Sequence, residues 1–167
     1  VNAQGQDSGK PALNNKEPSD DVQMYALNNN VSTEEAISRF QLQNIAGKLG
    51  AELRENETET FAGLWIEYKP KFKIVVLFTR DGEETIKPYL KQYIELADIV
   101  EVRTANVSLA NLQKDQEDVS SAISALGIPA NSAVDVYNNS VELYITEADM
   151  SRFDDALQRK EIRMPST

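Results

Sequence analysis

The side chains available for chemistry are carboxylates and amines. The 167-residue chain holds 27 Asp and Glu and 17 Lys and Arg, with no His and no Cys. Without histidine there is no Ser-His-Asp or Cys-His catalysis, no imidazole proton relay and no histidine-based zinc site. Without cysteine there is neither a disulfide nor a thiolate ligand. Carboxylate catalysis is left, and it requires two acids facing each other across a cleft at the separations used in glycoside hydrolysis. The acids instead gather in polar stretches, residues 55–59 and 81–84, which read as solvated loops. Their spacing does not match a Ca²⁺ loop, which needs alternating oxygens, a central Gly and a terminal Glu. Nor is there a glycine-rich phosphate loop. The expectation is a protein with no catalytic residue, no cofactor and no metal.

Charge and hydropathy narrow the partners. A net charge of −10 leaves no basic stripe to neutralise phosphates, so nucleic acid is excluded as a partner. The single basic knot, Lys69, Lys71 and Lys73 around Pro70 and Phe72, reads as a hairpin tip or edge protector. No run of about 18 apolar residues exists, so no transmembrane helix is expected. Val1, Asn2 and Ala3 have the small-x-Ala pattern of a signal-cleavage end, pointing to a secreted or extracytoplasmic protein.

The elements that would position any site come as one unit used twice. In the first, residues 60–68 and 72–79 are strand-like runs linked by Lys69, Pro70 and Lys71, a β-hairpin. In the second, residues 133–137 and 141–146 flank Asn138, Asn139 and Ser140. A helical pattern precedes each hairpin. Before the first it opens on Ser32 and Glu35 at capping-box spacing and runs through Leu42, Ile45, Leu49 and Leu53. Before the second it opens on Ser108, runs through Leu109, Leu112, Val119 and Ile123, and closes at Gly127. A helix also follows each hairpin. Thr85 is the expected cap of the first, with Pro88 in its opening turn, and Thr146 with Asp149 opens the second. Residues 98–104 and 160–164 are the expected closing strands. The fold class is therefore α+β: two tandem αββαβ subdomains, each a small, mostly antiparallel sheet packed against helices. The expected boundaries are a flexible tail over 1–22, a first subdomain over 23–105, a second over 106–164, and a C-terminal tail over 165–167.

Several of these residues form a family pattern. Phe61, Ala62, Gly63, Leu64, Trp65 and Ile66, followed by Ile74, Val75, Val76, Leu77, Phe78 and Thr79, resemble two strand motifs in the pro-regions of alpha-lytic protease and streptogrisin-type secreted bacterial serine proteases. Ser108 to Leu112 with Gln116 resembles a helix of those pro-regions, and residues 134–141 resemble their second hairpin. The similarity spans roughly residues 30 to 160. It implies a non-enzymatic folding chaperone and inhibitor of a chymotrypsin-like serine protease, acting in cis or in trans. It also implies that the second sheet pairs with a protease hairpin and that the chain's end lies in the protease cleft as a substrate would. Carried over, the binding residues would be Val134, Val136, Tyr137, Val141, Leu143 and Tyr144, with Met164, Pro165, Ser166 and Thr167 in the cleft. Pro165 departs from ordinary extended binding. The alternative is a free-standing extracytoplasmic interaction module of the same fold with no protease partner.

Overall fold

The computed structural model describes residues 18–164. The expected tail up to residue 17, the signal-cleavage pattern and the C-terminal tail lie outside the described residues. The fold is α+β: α1 (Asp20–Asn29), α2 (Thr33–Asn56), β1 (Phe61–Glu67), β2 (Lys73–Phe78), α3 (Gly82–Gln92), β3 (Val100–Thr104), α4 (Leu109–Ala125), β4 (Ala130–Asp135), β5 (Ser140–Ile145) and α5 (Glu147–Gln158). A 3-10 turn at Ile94–Leu96 links α3 to β3. The described residues form two compact units, one up to residue 40 and one from residue 41.

In the first unit, Asp20, Asp21 and Val22 open α1 where a tail was expected. The two acids sit in the first turn, where the helix dipole favours negative charge. Asn30, left-handed at φ 54°, ends α1. The Ser32 hydroxyl then accepts from the Glu35 amide at 3.1 Å, which is the expected cap of α2. Ala26 and Ala36 are buried, and the Tyr25 and Phe40 rings lie 5.0 Å apart.

In the second unit, β2 is the centre of a sheet ordered β1-β2-β3. β1 pairs with it antiparallel and β3 parallel, the latter through the α3 crossover. Ile74, Val75 and Val76 are all fully buried, as a central strand covered on both faces requires. Ile74, Val76 and Phe78 pack with Leu49, Leu53, Phe61 and Ile86 in the main core. α3 starts at Gly82, three residues before the expected cap. Gly82 is there because β2 and β3 come close: a Cβ would lie 2.7 Å from Val102 Cγ1 and 2.8 Å from Phe78 Cδ2. Pro88 consequently falls inside the helix, not in its first turn.

The second hairpin forms its own two-stranded antiparallel sheet. α4 is capped by Ser108, whose Oγ accepts from the Asn111 amide at 3.3 Å. Gly127, left-handed at φ 63°, follows its C-cap as expected. Val119, Ile123, Ile128, Phe153, Ala156 and Ile162 form a second core, against which Leu143 and Ile145 pack. Arg152 Nη2 donates to the Leu126 carbonyl at 3.0 Å, tying α5 to the end of α4. Residues 160–164, expected as a closing strand, are turn and coil, so this half runs αββα over the described residues. Left-handed Lys160 turns the chain immediately after α5, and Ile162 is drawn into the second core instead of a ladder.

Candidate functional site

The second hairpin is built around side-chain amides. Asp135 accepts from the Asn138 amide at 3.0 Å and from Asn138 Nδ2 at 2.6 Å, closing the turn over residues 136–139. The same bond from the Asn138 backbone holds the Asp135 carboxyl below its ordinary range. This turn ends β4 at Asp135, two residues earlier than expected. Asn139 takes the left-handed conformation (φ 52°), which asparagine tolerates well. Its Oδ1 accepts from the amides of Asn106 (3.0 Å) and Val107 (2.9 Å), and its Nδ2 donates to the Val107 carbonyl (2.8 Å). One side chain thus fastens the hairpin tip to the link between β3 and α4.

The tip is also keyed into the first sheet. The β1–β2 register slips between Phe61 and Gly63, and Gly63 sits at φ 146°. A Cβ there would lie 2.1 Å from Val136 Cγ1, so the Val136 side chain occupies the space that any other residue would fill. The Tyr137 ring lies 5.1 Å from Trp65.

These contacts divide the residues named as binding candidates. Val134 and Val136 pack against the main core, and Leu143 against the second. Val141 pairs in register with Val134 and is half-buried. Tyr137 (67% exposed), Tyr144 (58%) and Met164 (48%) face solvent. The Tyr144 hydroxyl donates to Glu142. Pro165, Ser166 and Thr167 lie outside the described residues. The hairpin therefore offers a partner two things: its exposed tyrosines and the backbone of its strands. β4 and β5 each pair on one side only among the described residues.

Two acids do converge at a place that was not expected from the sequence. On the face of the first sheet away from the main core, Lys73 Nζ reaches Glu101 at 2.6 Å and Glu67 at 3.0 Å. Arg103 reaches the same two acids, at 2.6 Å and 2.9 Å. The Arg103 guanidinium lies 5.7 Å from the centroid of the Trp65 ring. The β2 and β3 register explains this: Glu101 lies one same-face step along β3 from the position opposite Lys73, and Arg103 is the next residue on that face. A catalytic carboxyl pair needs one member that keeps a proton near neutrality. Hydrogen bonds from Lys73 first, then Arg103, hold both Glu67 and Glu101 below the ordinary carboxylate range. Both are ionised and neutralised, so the cluster serves as an electrostatic clasp over Val75. Among the described residues no group of three potential metal-ligating side chains occurs, and no helix is long and apolar enough to cross a membrane.

The clasp has a pH signature. Its carboxyls are depressed in the folded state, so its contribution is fully present above the unfolded carboxylate range, about pH 4.3 for Glu. It is lost as pH falls through the depressed folded values. A denaturation series from neutral pH to pH 3 should show stability falling only at the acid end, and the E101Q variant should flatten that fall. The effect is small, because the groups are partly solvated and screened by salt.

Comparison of the sequence with protein-family models and with characterised proteins returns no match.

Proposed function

We propose that the chain is a non-enzymatic, extracytoplasmic module that binds a chymotrypsin-like serine protease, assists its folding and then inhibits it. The observation that carries this reading is the two-stranded β4–β5 sheet, with strands paired on one side only and exposed tyrosines at its tip and on β5. A strand edge of this kind binds by adding to a partner's sheet, with main-chain hydrogen bonds supplying affinity and no catalytic group required. The choice of partner rests on the resemblance of the β1 and β2 motifs to those of protease pro-regions. A module that binds the folded protease and not the unfolded chain stabilises the folded form by mass action. If it also holds the folding transition state, it speeds refolding.

Purified chain titrated into a chymotrypsin-like bacterial protease should inhibit peptide hydrolysis. Added to the denatured enzyme, it should raise the yield of active protease several-fold. Neither inhibition nor recovery, with the chain itself folded by circular dichroism, would overturn the reading.

A further inference from the structure

The first sheet has an open edge of its own. In the β2–β3 ladder, the Ile74 amide donates to the Ile99 carbonyl at 2.8 Å and the Ala105 amide to the Phe78 carbonyl at 2.9 Å. In a parallel ladder alternate residues of a strand turn both backbone groups to one neighbour. Glu101 and Arg103 therefore face β2, and the N–H and C=O groups of Val100, Val102 and Thr104 point outward. No other strand pairs with β3 among the described residues. Two grooves meet along this edge at Val102. One, of about 540 Å³, is lined by Ile86, Leu90, Val100 and Val102. The other, of about 380 Å³, runs on past Gly82 and Thr104.

The sequence of the edge is complementary to itself. Turned antiparallel about Val102, the strand Val100-Glu-Val-Arg-Thr104 sets Glu101 opposite Arg103 of a second copy, and Arg103 opposite Glu101. The outward backbone groups fall into register in the same arrangement: Val102 exchanges both bonds with Val102 of the second copy, and Val100 with Thr104. That is the hydrogen-bonded pairing of an antiparallel ladder, with the charged residues at the closely spaced sites between. Glu101 and Arg103 are both half-buried, with side chains still partly solvated and able to meet a further partner. We propose that β3 pairs antiparallel with β3 of a second copy of this chain, in a register centred on Val102, forming a two-fold dimer with one continuous sheet. Such an interface is isologous, each patch meeting its own copy. The proposal does not rest on the protease reading and is measured with no protease present, so either can fail without the other.

Sedimentation velocity over a concentration series tests it. The dimer fraction should rise with concentration. V102P removes an outward N–H and leaves the β2 ladder bonds in place, so a folded V102P chain should be monomeric. E101R and R103E should each be monomeric alone, because each sets like charges across the axis. Mixed in equal amounts they should form a heterodimer, since every cross-pair is then of opposite sign. A V102P chain that loses its fold leaves the charge-reversed pair to decide. A wild-type chain that is monomeric at every concentration, its edge then left to a different polypeptide, overturns the proposal. A dimer that survives V102P, or a mixture that stays monomeric, also overturns it.

Discussion

Gly63→Ala is expected to destabilise the second unit, from residue 41 on, by roughly 2–6 kcal/mol. Two costs combine. The new methyl would sit 2.1 Å from Val136 Cγ1, so β1 or the hairpin tip must move, and overpacking of this kind costs about 1–3 kcal/mol. An alanine at φ 146° adds backbone strain, about 1–3 kcal/mol for a side chain held in a sparsely populated region. The urea midpoint should fall with little change in slope. The two causes separate in a double-mutant cycle: V136A removes the colliding methyls and should recover part of the loss in the Gly63→Ala background, the strain remaining. Additive effects of the two substitutions would mean that the close approach does not exist.

Asn139→Ala should cost roughly 2–3 kcal/mol. Removing the side chain leaves the exposed Asn106 amide to water and the part-buried Val107 amide and carbonyl without their partner, and stranding a shielded polar group such as those of Val107 costs about 1–3 kcal/mol. Alanine also tolerates φ 52° less well than asparagine. Asn139→Gly keeps the conformation and loses the bonds, so it isolates the hydrogen-bond contribution. Asn139→Asp keeps the acceptor but turns a carboxylate on the Val107 carbonyl. Denaturation midpoints should rank wild type first, with all three variants below it. Trp65 fluorescence should change with them, because the tip that Asn139 secures also carries Tyr137 onto the Trp65 ring.

What the chain declares about itself is mostly local. The Ser32 and Ser108 caps, the Gly127 stop and the apolar alternation of β1 and β2 rest on neighbours within a few residues, and the structure has them where the sequence places them. A glycine inside a strand run is a local sign of a bulge or close approach, but Val136, the partner of Gly63, lies 73 positions away in the sequence. Where side-chain bonds or tertiary contacts decide, the reading shifts. The Asp135–Asn138 turn ends β4 early, tight packing at Gly82 starts α3 early and carries Pro88 inside, and Ile162 joins a core where a strand was expected. α1 was invisible because its face is poor in large buried groups, Ala26 being its one buried residue. The candidate binding surface was legible as a hairpin. Its division into core-facing valines and solvent-facing tyrosines depends on a register that sequence alternation alone does not place in space.

The central claim is that this chain acts by presenting backbone edge on its second hairpin. Amide hydrogen exchange of the chain, alone and mixed with a chymotrypsin-like bacterial protease, tests it most directly. The account predicts added protection confined to the strands Ala130–Asp135 and Ser140–Ile145 and the turn between them. Binding that leaves those amides unchanged and protects another surface would contradict it.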